Sequence, residues 1–321
     1  MNFAKGVVTL MRTARCVESM GVGMAEQGAG LSGKGKVALV TGASRGAGRG
    51  IARGFGELGY TVYVTGRTVA PGDAKGWDGS VLPGTVSETA AEVTAAGGKG
   101  IAVLCDHADD AQVAALFDRI AREQGHLDVL VNNATYIHPQ LIEKKAFWEK
   151  DLDAVDILNV GLRSAYVASW HAARMMVAQG HGTIAFGSSF GGSCYMHGPA
   201  YGAQKAGIDK FAHDMEHDLR GTGVIAVSIW MGPLVTERSA IARETNPEQY
   251  EGFIETAENP EFTAHVIDAI ARAANRDDLS GQTLIGAEIA RELGVTDRGK
   301  VRPSYREMLG SPRPKNPAAV Y

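Results

Sequence analysis

From residue 36 onward, short apolar runs rich in β-branched residues alternate with longer segments in which apolar residues recur at helical spacing. Runs of about four to eight apolar residues fit buried strands, and the helical spacing fits amphipathic helices packed on a sheet. Alternation of this kind is typical of βαβ units and a parallel sheet. The pattern predicts strands at residues 36–41, 61–65, 100–104, 128–132, 183–187, 224–230 and 282–285.

The segments between these strands predict several helices and loops. The run Thr85-Val-Ser-Glu88 has the spacing of a capping box and is expected to begin a helix, whereas the glycines of 54–59 are expected to end an earlier one. A long helical stretch is predicted at 151–179, and the Gly- and Pro-rich segment 69–84 is expected to be an inserted surface loop. These elements predict an α/β fold: a Rossmann-type doubly wound parallel sheet of about seven strands, flanked by helices, in a single domain over residues 36–294.

The two ends of the chain have a different composition. Residues 1–35 show no clear period and are interpreted as an N-terminal extension, expected to be disordered. Residues 1–17 carry three basic residues and no acid, which is compatible with an organellar presequence. The absence of a signal-peptide core and cleavage pattern favours a plain extension, or a functional start at Met24. The proline-containing segment 295–321 is expected to be a loosely ordered C-terminal tail.

Composition and charge exclude several classes of protein. The 321 residues are 45% hydrophobic and 21% charged, as in ordinary globular proteins. A net charge of −4 leaves no basic footprint for nucleic acid or for an acidic membrane surface. No apolar run reaches about 18 residues, the length that spans a bilayer. Three dispersed cysteines, Cys16, Cys105 and Cys194, form no disulfide framework, so we expect a reducing, cytoplasmic setting.

A glycine-rich turn follows the first predicted strand and precedes a helical pattern. The turn is Thr41-Gly-Ala-Ser-Arg-Gly-Ala-Gly48. Gly42 permits a tight turn, and Gly46 and Gly48 let the backbone approach a pyrophosphate, whose charge the helix N-terminus attracts. The strand before it and the helix after it favour a dinucleotide site over a plain βα turn.

The end of the second strand bears on the choice of cofactor. An enzyme that prefers NAD usually presents an acid there to the ribose hydroxyls, but the run Thr65-Gly-Arg-Thr68 contains none. Arg67, together with Arg45 from the glycine-rich turn, offers guanidinium groups suited to a 2′-phosphate. We therefore favour NADP (NADPH) over NAD; the alternative is that both arginines are merely solvated.

Tyr201 and Lys205 lie one helical turn apart in Tyr201-Gly-Ala-Gln-Lys205, so their side chains share a face. The lysine charge and a cationic nicotinamide together favour the phenolate and lower the tyrosine pKa from its usual value of about 10. Such a tyrosine exchanges a proton with an alcohol or carbonyl oxygen near neutral pH. The pair alone is weak support for a function, since this spacing is common on solvated helices.

The motifs taken together resemble the short-chain dehydrogenase/reductase family over about residues 36–290. Those that match in order are the cofactor turn 41–48, Asp106 after the third strand, Asn132-Asn133-Ala134 after the fourth, the Gly-Ser-Ser run 187–189, and the pair Tyr201 and Lys205. Three further segments resemble one branch of that family: Lys145-Ala-Phe-Trp-Glu149, Asn159-Val-Gly-Leu-Arg163 and Arg291-Glu-Leu-Gly294.

The resemblance implies an oxidoreductase that reduces a small carbonyl compound with NADPH, or catalyses the reverse. In this mechanism Ser189 hydrogen-bonds the substrate oxygen, Tyr201 transfers the proton, and Lys205 binds the nicotinamide ribose and lowers the tyrosine pKa. The implied cofactor-binding residues are Gly42, Ser44, Arg45, Gly46, Gly48, Arg67, Asp106, Asn133, Tyr201, Lys205 and Thr236. Relatives commonly pair the helices at about 151–179 and 200–220, which implies a homodimer or homotetramer.

Several positions depart from the family pattern. The asparagine expected after strand four, which holds a water of the proton relay, falls on Gly161, and we interpret this as an altered relay. The usual spacing of 13 residues to Tyr201 points to Ser188, whereas the Gly-Ser-Ser pattern points to Ser189, which we favour. Met231-Gly232 and Ala134-Thr135 replace Pro-Gly and Ala-Gly, and both changes are expected to alter loop shape beside the cofactor.

Ligands of doubly wound sheets bind beyond the carboxyl ends of the strands. The loops there carry mostly aromatic residues, which suit an apolar or aromatic carbonyl or secondary alcohol: Tyr136, His138, Phe190, Tyr195, His197, Trp230 and Met231. Each of them taken singly is more often a packing residue, and no spacing indicates a metal site.

The function has one alternative from another class. It is a non-catalytic nucleotide-sensing or scaffolding member of the fold, for which Gly161 is the sequence support. An intact serine, tyrosine and lysine favour the enzyme. Ketoacyl, steroid or xenobiotic carbonyl reduction and sugar alcohol oxidation all remain open as the reaction.

Overall fold

The computed structural model describes residues 31–72, 79–245, 247–248, 252–316 and 318–320. Its seven strands form one parallel sheet in the order β3-β2-β1-β4-β5-β6-β7. They are β1 (Val37–Val40), β2 (Thr61–Gly66), β3 (Lys99–Leu104), β4 (Val129–Asn132), β5 (Gly182–Ser188), β6 (Val224–Trp230) and β7 (Thr283–Ile285). The predicted doubly wound sheet is confirmed, and each strand boundary lies within one residue of its prediction.

Helices cover both faces of the sheet. They are α1 (Gly46–Glu57), α2 (Val86–Ala95), α3 (Asp110–Gln124), α4 (Ser164–Gln179), α5 (Pro199–Leu219), α6 (Glu237–Thr245), α7 (Phe253–Thr256), α8 (Pro260–Arg272), α9 (Arg276–Leu279), α10 (Gly286–Glu292) and α11 (Arg306–Leu309). Short 3-10 turns occupy Phe147–Glu149, Leu152–Ile157 and Phe190–Gly192. The predicted capping box begins α2, because the Thr85 hydroxyl accepts from the Glu88 N–H and the Glu88 carboxylate accepts from the Thr85 N–H.

The sheet separates two apolar cores. In β1, Ala38 and Val40 join the core beneath α1 and α8, whereas Val37 and Leu39 join the core beneath α3, α4 and α5. All four of these residues are buried. A strand buried on both faces is apolar at every position, which explains the continuous apolar runs in the sequence.

Helix α1 packs against α8 at a distance that excludes side chains. A Cβ on Gly50 would lie 2.2 Å from the Pro260 Cβ, and one on Gly54 would lie 2.7 Å from the Glu261 carbonyl oxygen. Both contacts are shorter than van der Waals packing permits. These glycines therefore set how α1 sits, and with it the glycine-rich turn at its N-terminus.

The predicted long helix at 151–179 is wrong in its first half. Regular helix begins at Ser164, and the chain before it is kinked at Val160 (φ −102°, ψ 93°) and Gly161 (φ 142°, ψ −34°). The Ser164 hydroxyl accepts the Gly161 N–H at 3.0 Å. Apolar spacing does not reveal this break, because the spacing continues through it.

The C-terminal segment, expected to be loosely ordered, packs on the domain in its described part. Arg302 and Asp297 form a buried ion pair, with 2.6 Å between the Arg302 Nε and an Asp297 carboxylate oxygen. Tyr305 joins an apolar cluster with Phe190, Trp230 and Ile285. The segment thus reaches the loops that follow β5 and β6.

Two other predicted segments lie partly outside the described residues. Of the N-terminal extension, only residues 31–35 are described; of the inserted loop 69–84, residues 73–78 are not. At the end of that loop Leu82 is buried, which anchors it on the domain. Among the described helices, none has both the length and the apolar character needed to cross a bilayer.

Replacing Arg302 with methionine should lower the free energy of unfolding by about 3–5 kcal/mol, because it leaves the Asp297 carboxylate buried without its counterion. Urea denaturation measures this. The control is Arg298→Met, whose guanidinium is 61% exposed and lies 3.7 Å from Glu261, and it should cost less than about 1 kcal/mol. Equal losses in the two variants would show that the buried pair does not hold the segment.

Candidate active site

The glycine-rich turn is held by the end of β4. The Asn133 side-chain amide donates to the carbonyls of Thr41 (2.9 Å) and Gly42 (3.1 Å). The Thr41 hydroxyl accepts the N–H groups of Asn133 (2.9 Å) and Ala134 (3.0 Å). Asn133 is predicted to bind the cofactor, but in this structure its side-chain amide donates to the turn and holds the turn's shape.

The turn is too crowded for side chains at two of its glycines. A Cβ on Gly42 would lie 2.7 Å from the Ala134 Cα, and one on Gly48 would lie 2.4 Å from the Gly42 carbonyl oxygen. Gly42 also has φ +64°, a conformation that favours glycine. The side chain of Ser44 is buried between the turn and the end of β2.

The N-terminus of α1 attracts negative charge in this structure. The Gly46 N–H donates to a carboxylate oxygen of Glu237 at 2.9 Å, and Arg49 lies 3.3 Å from the other oxygen. Glu237 begins α6 and follows Thr236, whose hydroxyl accepts the Ser239 N–H at 3.2 Å. Gly46, Thr236 and Glu237 line one cavity of about 300 Å³. A carboxylate is the kind of anionic partner that a helix N-terminus favours, and binding of a pyrophosphate here stays a prediction.

The two predicted phosphate-binding arginines have different surroundings. Arg67 is exposed at the end of β2. The Arg45 guanidinium donates to the carbonyls of Gly84 (2.8 Å) and Pro83 (3.3 Å), so it fastens the inserted loop to the glycine-rich turn. Asp106 accepts the Ala108 N–H at 3.0 Å after β3. Of the predicted 2′-phosphate pair, Arg67 is the side chain that faces solvent.

The structure brings the predicted catalytic side chains together. The Ser189 Oγ and the Tyr201 hydroxyl oxygen are 2.9 Å apart. The Lys205 ammonium donates to the Gly187 carbonyl at 3.0 Å and lies 5.5 Å from the centre of the Tyr201 ring. Ser188 is fully buried. Since successive strand residues point to opposite faces, Ser189 meets Tyr201 and Ser188 does not.

Burial controls the proton affinities of this group. Burial raises the pKa of Tyr201, and its hydrogen bond with Ser189 opposes the rise. Burial also lowers the pKa of Lys205 to about 8, while the Asp209 carboxylate opposes that change. Desolvation is the largest influence on the Tyr201 pKa in this geometry. That Lys205 and a bound nicotinamide together lower this pKa stays a prediction.

Two of the residues predicted to line the substrate pocket lie in the apolar core. Phe190 and Trp230 are 2% and 1% exposed, and their ring centres lie 5.0 Å apart. Tyr305 from the C-terminal segment covers Phe190, with 6.2 Å between ring centres. Tyr195 by contrast is 82% exposed, and Met231 is partly buried. Phe190 and Trp230 are therefore packing residues, as is more often the case for single aromatics, and the Tyr305 contact that covers them is not visible in local sequence.

His138 lies in a cluster with two acids, Asp151 and Asp153. Its Nδ1 accepts the Gln140 N–H at 3.1 Å, so the proton is on Nε2, which faces Asp153 at 3.1 Å. A metal needs a nitrogen lone pair, and neither ring nitrogen offers one in this arrangement. We interpret the cluster as a hydrogen-bonded pair beside an exposed acid.

Two acidic residues near the site, Asp209 and Glu258, were not predicted from the sequence. Asp209 lies one turn beyond Lys205, and its carboxylate accepts from Ser228 (2.6 Å) and from the Trp230 indole (2.9 Å). Glu258 is 2% exposed beside the loop after β6, and burial raises its pKa to about 7. The spacing of four residues from Lys205 was the available signal for Asp209; no local pattern marks Glu258.

A nucleotide turn at a helix N-terminus, joined to a serine, tyrosine and lysine group beyond the strand ends, defines an oxidoreductase of the doubly wound class. Residues 36–247 match the family model described as short chain dehydrogenase. The chain belongs to the short-chain dehydrogenase family, and the predicted family and enzyme class are confirmed.

Comparison with individual proteins agrees with this family assignment. The chain is 40% identical over 276 residues to Dehydrogenase/reductase SDR family member 1 of Mus musculus, which covers 82% of this chain and 83% of the relative. A putative dehydrogenase from Xanthomonas campestris has a similar fold (TM-score 0.69, 23% identity, covering 84% of this chain and 93% of that one). A metagenomic short-chain oxidoreductase solved with NADP is also similar (TM-score 0.60, 26% identity, covering 79% and 97%).

Replacing Gly161 with asparagine, the residue the family pattern leads one to expect, should destabilise the protein by about 1–3 kcal/mol. At φ 142° an L side chain is strained, and a Cβ would lie 3.1 Å from the Thr135 hydroxyl oxygen. Thermal unfolding is the measurement. Gly180→Asn is the matched control, because Gly180 has φ +78° and open space around it, and we expect a loss below about 1 kcal/mol. A fully stable Gly161→Asn protein would contradict the strain.

Proposed function

We propose that this protein reduces a small carbonyl compound to an alcohol with NADPH, Tyr201 acting as the general acid. The reverse reaction uses the same residues. The observation that carries the proposal is the 2.9 Å contact between Ser189 and Tyr201 beside the buried Lys205 ammonium. A binding module has no use for this set.

The contact between the two hydroxyls sets their roles. Groups 2.9 Å apart can both reach one substrate oxygen. Ser189 donates a hydrogen bond to that oxygen and fixes its position, while Tyr201 donates the proton that makes it an alcohol. Lys205, whose ammonium donates to the neutral Gly187 carbonyl, has further protons to offer a ribose hydroxyl. The nicotinamide, when bound, supplies the hydride.

NADP is the cofactor that the end of β2 favours. Arg67 is exposed there, and no acid stands at the position that would recognise unphosphorylated ribose. Arg45 supports the site by holding the inserted loop at Gly84. The similar metagenomic oxidoreductase is described in complex with NADP. The donors of the turn and the Arg67 charge fit a phosphorylated dinucleotide.

We also propose a homodimer or homotetramer, working in the cytoplasm. Helix α4 exposes Tyr166 (51%), Trp170 (48%) and Val177 (43%), spaced so that they share one face. An apolar helix face of this kind suits pairing with a second copy. Cys105 and Cys194 are free thiols, which suits a reducing compartment.

Replacing Tyr201 with phenylalanine should reduce turnover by about 100- to 10,000-fold, because the general acid is removed while the ring is kept. NADPH oxidation over a panel of aldehydes, ketones, quinones and β-ketoacyl thioesters measures it. Tyr63→Phe, which removes a hydroxyl bonded to Glu123 on α3, should keep its turnover. Unchanged activity in the Tyr201 variant would contradict the assignment of Tyr201 as the general acid. A wild type that binds NADPH but reduces nothing would favour the nucleotide-sensing alternative.

Replacing Arg67 with glutamine should weaken NADPH binding by about 10- to 100-fold, the worth of a charge-assisted hydrogen bond to phosphate. NADH binding should stay within about twofold, because NADH lacks the 2′-phosphate. Fluorescence titration of both nucleotides is the test. Arg122→Gln removes an equal charge from the exposed face of α3 and serves as control. Equal weakening of both nucleotides would refute a 2′-phosphate role.

A further inference from the structure

A carboxylate lies on the same helix face as the catalytic pair, one turn further along α5. Tyr201, Lys205 and Asp209 follow each other at intervals of four residues, which aligns their side chains. Both oxygens of the Asp209 carboxylate are engaged by β6: the Ser228 hydroxyl donates to Oδ1 at 2.6 Å, and the Trp230 indole N–H donates to Oδ2 at 2.9 Å. Asp209 therefore fixes α5 to the strand beside the one that carries Ser189.

The turn after Ser189 runs directly past this carboxylate. A Cβ on Gly192 would lie 2.6 Å from the Asp209 Oδ2, and one on Gly191 would lie 2.5 Å from a Tyr201 ring carbon. The turn is thus wedged between two side chains of α5. Movement of the carboxylate would displace the turn, and with it the Ser189 hydroxyl that contacts Tyr201.

The carboxylate also acts on Lys205 electrostatically. The Lys205 ammonium is buried, and the hydrogen-bond acceptor it has among the described residues is the neutral Gly187 carbonyl. Burial lowers the pKa of Lys205, and the charge that opposes this is Asp209. Burial in turn raises the pKa of Asp209, while Ser228, Ser188, Trp230 and the Lys205 charge favour its ionised form. The Ser228 hydroxyl and the Trp230 indole that contact the carboxylate carry no charge, and burial raises the pKa of Tyr201, the other titratable group beside Lys205. The Lys205 charge is therefore the charged group that favours the ionised form of Asp209.

We propose that Asp209 is a positioning residue of the active site: its carboxylate keeps Lys205 in the ammonium form that binds the nicotinamide ribose, and it holds the Ser189 turn in place. The inference rests on the proposed function. Neither the proton transfer nor the hydride transfer requires a carboxylate at this position, and the inference gives Asp209 a separate role.

The test is NADPH affinity measured by fluorescence between pH 6 and pH 10. In the wild type, binding should weaken as the pH rises through about 8, where Lys205 loses its proton. Asp209→Asn, which keeps the shape and removes the charge, should move that midpoint down by about one pH unit, so that affinity at pH 8 falls by about fivefold. Asp214→Asn, a charge loss at an exposed position of the same helix, should leave the midpoint unchanged.

A double-mutant cycle separates the charge effect from a structural one. In a Lys205→Met background, the pH dependence should disappear and Asp209→Asn should change NADPH affinity by less than about twofold. A midpoint unchanged by Asp209→Asn, or an equal loss of affinity in the Lys205→Met background, would overturn the proposal. These experiments measure affinity, so they test the role of Asp209 even if the wild type reduces no carbonyl compound. A wild type without reductase activity would contradict the proposed function, not the role of Asp209.

A measurement on the unaltered protein covers the case in which Asp209→Asn does not fold. With ¹³C-labelled aspartate and lysine, NMR titration of the wild type should show the Asp209 carboxyl ionised at neutral pH, with an inflection where Lys205 titrates. A protonated Asp209 at neutral pH, or the absence of a shared inflection, would refute the coupling.

Discussion

The hydrogen bonds between the end of β4 and the glycine-rich turn are the contact on which the site depends. Strands β1 and β4 are neighbours at the point where the strand order reverses. Asn133 joins them by donating to the Thr41 and Gly42 carbonyls, while Thr41 returns a hydroxyl acceptor. These hydrogen bonds give partners to the Thr41 and Gly42 carbonyls and to the Asn133 N–H. It also fixes the start of α1, and so the place where anionic groups are attracted, relative to the loops beyond β4 and β5.

Local features of the fold could be predicted from the sequence, and long-range ones could not. The strands, the Thr85 capping box and the glycine-rich turn follow from spacing within a few residues. The Gly161 kink is hidden because apolar spacing continues through it, and the packing of Tyr305 on Phe190 joins residues far apart in the chain. Sequence motifs identified the serine, tyrosine and lysine of the candidate site. The bonds of Asp209 to β6 span 19 and 21 residues and have no local signature.

Burial changes the proton affinities of the candidate catalytic group. Desolvation makes the Lys205 ammonium easier to deprotonate and the Tyr201 hydroxyl harder to deprotonate, so it moves their proton affinities apart. Groups whose pKa values are displaced in this way are typical of functional sites. A core built only for stability would place apolar residues here. Burial likewise raises the pKa of the neighbouring Asp209 carboxylate, and the Lys205 charge is one of the interactions that oppose the rise.

The contact of Tyr305 with the Phe190 and Trp230 cluster makes the C-terminal segment part of the packing beneath the turn that carries Ser189. Ser304 and Arg306, on either side of it, both bond to Glu288 of α10, so the segment is tied down at its point of contact. Changes of sequence near the C-terminus can therefore alter the packing beneath the turn that carries Ser189 without any change to Ser189, Tyr201 or Lys205. A chain shortened to end before residue 305 would lose the ring that covers Phe190, so a truncation at the C-terminus would disturb the candidate site as well as remove a segment.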